Sequence, residues 1–461
     1  MTSVSYHTQR RDLQAQEAAR ATLALTAAGA LCGLDAGSFG PMLPALRAGL
    51  ALDDRRAAWV LSAYVLGAIY GAPWAARSAA TFGAARTLVG ALSVASAGAW
   101  LSAAARDVVG ACAGRALFGV GGAAVLPIAT AAVTARVPTE RRGRAVVTLS
   151  LAYGAAFLAS TAAASAAGAV AWRAVYGLLG VAALLVAAVV ARAVTDVDAR
   201  TTTPQPLDRA GVALWTLAVA ALAVVVPRLR GASGSAAVLA AAAVTALGAL
   251  GATAWRAGTT GTFVPLGALR EPGVRGASLV AFGMGAGQVF AVSIPSFAAA
   301  VLGVAPSRVG LWSLPFVLAG LVGTALAMVS IDRMGARRMT ALTGVALVVG
   351  AAALALLPAS GVGFAVASAV TGAGLCTLSA GPVRRLVSVH GEAEAARAQA
   401  LLALVANLGL LAGSALYGVT VSPRAEPALR AAGMRDATLA VAGLVAVMLG
   451  AGAVALRRER G

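Results

Sequence analysis

Two charged side chains in this sequence lie where a lipid bilayer would surround the backbone. Apolar runs recur from residue 21 to residue 456; Asp35 is the only acidic residue within them, and Arg115 is the only basic residue well inside one. An Asp at the centre of a membrane helix costs about 2.5–3.5 kcal/mol on insertion. Because burial disfavours the charged carboxylate, Asp35 could bind and release a proton, or it could dock a cationic substrate.

The depths of these two residues predict that they can pair. Asp35 is eleven residues from the outer end of the run 21–46, and Arg115 is six residues from the outer end of the run 109–133. At about 1.5 Å per residue, these positions lie roughly 16 and 9 Å deep, a separation that a long Arg side chain can bridge. Since Arg stays charged in proteins, protonation of Asp35 would release Arg115. The alternative is a purely structural ion pair.

The composition predicts a membrane protein around this pair. Of the 461 residues, 60% are hydrophobic and 11% are charged, whereas a soluble domain carries about 25% charged residues. We count fourteen runs long enough to cross a bilayer, which takes about 20 residues. The runs are 21–46, 57–76, 87–105, 109–133, 145–170, 174–194, 210–227, 234–255, 275–300, 308–330, 339–357, 361–381, 398–421 and 437–456.

The arginines predict the orientation of these spans. With the amino terminus inside, inner segments hold 24 of the 36 basic residues, all of them Arg, and outer loops hold 11. Cytoplasmic loops of membrane proteins carry such an excess, so both termini are expected in the cytoplasm of a plasma-membrane protein. The net charge of +19 is then explained by inner loops and anionic lipid rather than by nucleic acid.

Long polar connections divide the spans. Residues 195–209 and 256–274 bracket two of them, which predicts two six-helix halves with an inserted helical pair. A Gly followed by Arg occurs at equivalent inner loops of the halves, in Phe82–Arg86 and in Asp332–Arg338. Such duplication is typical of secondary transporters. The predicted segments are a tail 1–20, a first half 21–194, a central loop and hairpin 195–274, a second half 275–456, and a tail 457–461.

Several motifs resemble those of the major facilitator superfamily, and most closely its fourteen-helix drug:proton antiporter family. In the first span, Asp35 precedes Leu43-Pro44, and in the fourth span Arg115 precedes Gly119 and Gly121. Further similarities are Trp172-Arg173, Asp208-Arg209-Ala210-Gly211 and the loop Asp332–Arg338. The resemblance covers about residues 21–456. It implies an all-α membrane bundle that works by alternating access, with Asp35 and Arg115 in proton coupling.

The resemblance also implies two sets of site residues. Side chains expected to line a substrate cavity are Ser38, Phe39, Tyr64, Gln288, Phe290, Ser293, Ser379 and Asn407; hydrogen bonds that pack helices are the alternative for the polar ones. Residues expected to gate the cytoplasmic face are Asp332, Arg333, Gly335, Arg337 and Arg338; plain positive-inside topology is the alternative. Pro295 should also kink the ninth span.

The sequence therefore favours a monomeric secondary transporter that exports small amphipathic or cationic compounds, driven by protons. Its expected partners are the substrate, protons and lipid. In the fifth span Ala159-Ser160 and Ala163-Ala164 stand where the family has Gly-Pro and Gly-Gly, which keeps metabolite uptake or facilitated diffusion open. A receptor or membrane enzyme is a third hypothesis, but one intramembrane carboxylate without a His partner argues against catalysis. No metal or other cofactor is expected, and without Lys the chain cannot form an ATP-binding P-loop.

Overall fold

Helices make up most of the part of the chain that the structure, a computed structural model, describes. That part comprises residues 3–52, 54–137, 139–167, 172–194, 207–229, 235–256, 263–264, 266–304, 308–357, 360–378, 392–421 and 427–457. The α-helices are α1 (Ser3–Gly49), α2 (Asp54–Phe82), α3 (Ala84–Ala104), α4 (Val108–Arg136), α5 (Thr139–Ala167), α6 (Trp172–Ala193), α7 (Arg209–Leu229), α8 (Ala236–Arg256), α9 (Pro272–Gly287), α10 (Val289–Leu302), α11 (Leu314–Met334), α12 (Ala336–Leu356), α13 (Gly361–Leu378), α14 (Glu392–Val421) and α15 (Pro427–Arg457). Two short 3-10 helices, Leu266–Arg270 and Val309–Ser313, precede α9 and α11.

Fourteen helical segments of the described chain are long and apolar enough to cross a membrane. This confirms the predicted fold class and number of spans. In lipid, a helix satisfies its backbone N–H and C=O groups within one segment, which is why apolar runs of this length become helices. The ninth span, Gly273–Leu302, combines α9 and α10. Since α1 begins at Ser3, it includes most of the segment predicted as an amino-terminal tail.

Three hydrophobic clusters show how the helices pack. The first is built from α1 to α6, and the second mainly from α9 to α13 and α15. The third joins Ile69 of α2, Trp215 of α7 and Leu401 of α14. Helix α8 packs chiefly on α7. The inserted hairpin α7–α8 therefore sits over the place where α2 meets α14.

Two equivalent loops share an uncommon backbone conformation. Gly83, before α3, has φ 87° and ψ 165°, and Gly335, before α12, has φ 77° and ψ 150°. Residues with a side chain rarely adopt such positive φ values. The glycines of the Phe82–Arg86 and Asp332–Arg338 loops therefore make the same turn between a pair of consecutive spans, as the internal repeat predicts.

Glycines of α1 let it approach α5 to backbone contact. Gly33 and Gly37 lie directly against the backbones of Tyr153 and Phe157, so that a Cβ at either glycine would overlap a carbonyl group. The Thr161 hydroxyl donates a hydrogen bond to the Gly37 carbonyl oxygen at 2.9 Å. Small residues four apart are a common means of close helix packing in membranes. The close approach of α1 to α5 therefore depends on glycines of α1.

We expect Gly37→Ala to destabilise the protein, because the added methyl group meets backbone that cannot move independently. Overpacking of this kind costs about 1–3 kcal/mol, which a thermal melt of the purified protein in detergent would register as a lower Tm. Gly450→Ala is the matched control, since a Cβ at Gly450 meets no atom within 4 Å. Equal melting temperatures for the two variants would contradict the close α1–α5 contact.

The ninth span breaks at Gln288, between α9 and α10. Pro295, where the sequence predicts a kink, lies inside α10, and that kink remains a prediction. The residues before the break include Gly285 and Gly287, and a Cβ at Gly285 would overlap the Ala406 backbone. Glycine weakens a helix by about 1 kcal/mol per residue, which accounts for a break in this glycine-rich stretch.

Candidate functional site

Asp35 and Arg115 form a buried ion pair between α1 and α4. An Oδ1 oxygen of Asp35 accepts a hydrogen bond from Nη1 of Arg115 at 2.6 Å. The Asp35 side chain is 5% exposed and the Arg115 side chain is 2% exposed. A charge-assisted hydrogen bond of this length is stronger than one between neutral groups. The pairing that the two depths predicted is therefore present in the structure.

Four aromatic rings surround the Arg115 guanidinium. Its Cζ atom lies 5.0 Å from the ring centre of Phe39, 4.6 Å from Tyr64, 5.3 Å from Phe118 and 5.6 Å from Tyr176. Ring faces attract cations at such distances, and more strongly where water is excluded. The rings therefore help to hold the positive charge in the interior without supplying a second negative charge.

A small cavity adjoins the carboxylate. It has a volume of about 20 Å³, which is room for about one water molecule. The residues that line it are Leu31, Cys32, Asp35, Tyr64, Leu92, Ala95, Phe118, Gly122 and Val125. All of them lie on α1 to α4, so the space beside Asp35 lies among these four helices. A water there could carry a proton to or from the carboxylate.

Three of the residues predicted to line a substrate cavity lie around the ion pair. Phe39 and Tyr64 contribute two of the four rings. The buried Ser38 donates its hydroxyl to the backbone oxygen of Asp35 at 3.1 Å. Since that hydroxyl is engaged one turn back on its own helix, Ser38 stabilises the backbone that carries Asp35.

The other residues predicted to line a cavity lie elsewhere. Phe290 is in the second hydrophobic cluster, and the Ser293 hydroxyl donates to the Phe290 carbonyl at 3.4 Å. Gln288 stands at the break of the ninth span and is partly exposed. Asn407 donates from Nδ2 to the Ala403 carbonyl of its own helix at 2.9 Å. Ser379 lies outside the described residues. A cavity wall built from these five residues remains a prediction.

The predicted gating loop is an exposed basic turn. Gly335 forms the turn, and the side chains of Arg333, Arg337 and Arg338 are exposed. Asp332 lies near the end of α11, but its side chain is outside the described part of the structure. The gating role of these residues is consistent with their position between α11 and α12, and it remains a prediction.

Asp208 clamps the inserted hairpin. Its carboxylate accepts hydrogen bonds from the backbone N–H groups of Gly211 at 2.9 Å and Phe263 at 3.2 Å, and from Arg256 at 2.9 Å. Partial burial tends to raise the pKa of Asp208, but the hydrogen bonds from Gly211 and Phe263 and the Arg256 charge outweigh it and lower the pKa. The Asp208 carboxylate therefore stays ionised at neutral pH. Its interactions with Gly211, Phe263 and Arg256 would weaken only as the pH fell through that lowered pKa.

Arg173 fixes the end of α3. It donates to the carbonyl oxygens of Ala103 at 3.1 Å and Ala105 at 2.7 Å, and its guanidinium lies 4.1 Å from the Trp172 ring centre. The last carbonyls of a helix lack partners within it, and Arg173 supplies partners here. The Trp172-Arg173 motif that contributed to the family resemblance thus has a structural role in this chain.

Sequence reasoning missed Tyr176, the fourth ring around Arg115. Tyr176 lies on α6 and is 1% exposed. A single Tyr in an apolar run is ordinarily a packing residue, and nothing in its spacing pointed to Arg115. Only the packing of α6 against α1 and α3 brings it to the ion pair.

The sequence model of the Major Facilitator Superfamily matches residues 25–287, which is more than half of the chain and includes both members of the ion pair. The chain belongs to this superfamily. A comparison by sequence with curated proteins gave no match. Membership in the superfamily makes this chain a multi-pass membrane transporter of a small molecule, and indicates a transporter rather than an enzyme.

Solved structures of other superfamily transporters share its fold. The partially occluded inward-open xylose transporter XylE from E. coli aligns with a TM-score of 0.62 at 16% identity, covering 94% of this chain and 96% of that one. The human organic anion transporter MFSD10 aligns with a TM-score of 0.64 at 13% identity, covering 94% and 99%. The POT family transporter PepTSo aligns with a TM-score of 0.64 at 16% identity, covering 94% of this chain and 98% of that one. At these identities the likeness concerns the fold alone.

Proposed function

We propose that this superfamily member exports small amphipathic or cationic compounds in exchange for protons, by alternating access, across the plasma membrane with both termini in the cytoplasm. The observation that carries the proposal is the buried pair of Asp35 and Arg115, whose Nη1 and Oδ1 atoms are 2.6 Å apart. The pair is neutral while Asp35 is ionised. A proton on Asp35 leaves one net positive charge in the same place.

This change of charge can link protons to a cationic substrate. A substrate cation held about 6 Å from a net positive charge would be repelled by about 3 kcal/mol at an effective dielectric constant of about 20. That energy corresponds to roughly a hundredfold weaker binding. Proton and cation would therefore exclude one another, and a site that alternately faces each side would exchange them.

The packing offers the surfaces along which such alternation could take place. Helix α2 packs on α14, and α5 packs on α11. Gly154 of α5 lies against the side chain of Leu321, and Phe157 and Leu158 pack on the second hydrophobic cluster. These contacts join the predicted halves 21–194 and 275–456. Motion of one predicted half against the other would slide or open them.

The experiment is transport into and out of liposomes that contain the purified full-length protein. A panel of compounds that includes the fluorescent cation ethidium is tested with an imposed pH gradient, without one, and with an ionophore that collapses it. If the protein exchanges compound for protons, the compound moves in the direction opposite to the flow of protons down their gradient, and the ionophore abolishes this movement. Flux that does not depend on the pH gradient would favour facilitated diffusion. Flux in the same direction as the protons would favour uptake. Absence of flux across the panel would contradict export of this compound class.

A further inference from the structure

Tyr176 carries a hydroxyl group that has no hydrogen-bond partner although it is buried beside the ion pair. The Tyr176 side chain is 1% exposed, and its ring centre is 5.6 Å from Cζ of Arg115. Leaving a buried hydroxyl without a partner is unfavourable. Such groups in native proteins call for an explanation, and one explanation is that the partner arrives in another state of the molecule.

Arg115 has an unused donor of its own. Its Nη1 binds Asp35, but its Nε atom is buried without a hydrogen-bond partner. Tyr176 lies beside this guanidinium, with its ring centre 5.6 Å from Cζ of Arg115. The unsatisfied donor on Arg115 and the unsatisfied hydroxyl of Tyr176 therefore belong to two side chains that are in contact.

We propose that Tyr176 is the alternative hydrogen-bond acceptor for Arg115. When Asp35 takes up a proton, the guanidinium shifts its hydrogen bonding from the carboxyl group to the hydroxyl oxygen of Tyr176. Tyr176 is then a positioning residue of the proton site. This inference rests on the proposed function, because it assumes that Asp35 is protonated during transport. It adds a third member to the site, on a helix that contributed none of the predicted site residues.

The surroundings of Asp35 offer few other partners. The ionisable side chains near its charge, among the residues that the structure describes, are Cys32 of α1, Tyr64 of α2, Arg115 of α4, Tyr153 of α5 and Tyr176 of α6. Helix α3 contributes the apolar Leu92 and Ala95 to the adjoining cavity. The thiol of Cys32 already donates to the Gly122 carbonyl at 3.7 Å. Of these groups, Tyr176 has the buried hydroxyl oxygen that lacks a hydrogen bond.

The proposal predicts the sign of an effect on proton binding. In the ionised state the Tyr176 hydroxyl makes no hydrogen bond, so its removal should not destabilise that state. In the protonated state it would accept a hydrogen bond from Arg115, so its removal should make protonation less favourable. Tyr176→Phe should therefore move the midpoint of Asp35 protonation to lower pH by about one unit, a tenfold change in proton concentration, since a hydrogen bond to a charged group exceeds 1 kcal/mol.

The experiment is an infrared pH titration of the purified full-length protein, and it needs no substrate. The carbonyl band of a protonated carboxylic acid is assigned to Asp35 by its loss in Asp35→Asn. Tyr417→Phe is the control, because it also removes a tyrosine hydroxyl from the interior, but Tyr417 packs against the second hydrophobic cluster, away from Asp35. We expect the midpoint to fall in Tyr176→Phe and to stay in Tyr417→Phe, with melting temperatures of both variants no lower than that of the unmodified protein.

The outcomes separate this inference from the proposed function. If the Asp35 band titrates but Tyr176→Phe has the unmodified midpoint, the switch of Arg115 is wrong and the proton carrier stands. An equal shift in both Phe variants would also overturn the switch, because the effect would not be specific to the ion pair. If no band of Asp35 appears at any pH, the carboxyl group does not bind protons and both proposals fail.

Discussion

Asp35→Asn is expected to abolish transport driven by a pH gradient while leaving the protein folded in the membrane. The amide keeps an oxygen that can accept the hydrogen bond of Arg115, which Oδ1 of Asp35 accepts at 2.6 Å. It imitates the protonated carboxyl group, a state that the proposed cycle itself visits, so the site should tolerate it. However, it cannot release a proton. Gradient-driven movement of ethidium in liposomes should fall to the level seen without a gradient.

Asp208→Asn is the matched control for this loss. It also converts a hydrogen-bonded Asp to Asn, but Asp208 clamps the inserted hairpin through Gly211, Phe263 and Arg256, away from the ion pair. We expect gradient-driven transport to persist in this variant. Full proton-coupled transport by Asp35→Asn would refute the role of Asp35, and an equal loss in both variants would show that the defect is not specific to the ion pair.

Arg115→Leu is expected to produce the largest loss of stability of any single substitution at the site. It leaves the Asp35 carboxylate buried without its cation, within a cage of aromatic rings built to hold a positive charge. Breaking a buried ion pair by removing one partner costs about 3–5 kcal/mol. The loss should shrink as the pH is lowered, because a protonated Asp35 needs no counter-charge. Thermal melts of the purified protein across a pH series would measure it.

A double variant distinguishes a lost ion pair from lost packing. In Asp35→Asn with Arg115→Leu no charge remains at the site, so a large part of the stability should return, as replacement of whole buried pairs is often neutral. Arg308→Leu, at an exposed arginine, should change the melting temperature little. If the double variant is as unstable as Arg115→Leu alone, or if the loss does not depend on pH, the pair contributes packing rather than charge compensation.

The sequence predicted the pairing of Asp35 with Arg115 because depth in a membrane helix follows from counting residues at a fixed rise. The turn at Gly335 could be anticipated for a different reason. It depends on a few neighbouring residues, as does the loop of Gly83, and a backbone with positive φ favours glycine at that position. Both predictions depended on a single helix or a single loop, without knowledge of which helix packs on which.

What could not be predicted depends on how helices rotate against one another. Tyr176 is one aromatic residue among many apolar ones, and only the azimuth of α6 turns it towards Arg115. In the same way, the close contact of Gly37 with the α5 backbone depends on α5 being the helix that packs on α1. The break at Gln288 could not be predicted either, because it depends on the glycines before it and on the close contact with α14. The kink at Pro295 remains a prediction.

The central claim is that protons move through Asp35 in exchange for substrate, and the most direct test follows the protons themselves. Liposomes with the purified protein and an entrapped pH-sensitive dye are prepared without any pH gradient, and a concentration gradient of a transported compound is then applied. Our account predicts that protons flow opposite to the compound, and that this flow is absent in Asp35→Asn. Movement of the compound without proton flow, or the same proton flow in the variant, would contradict it.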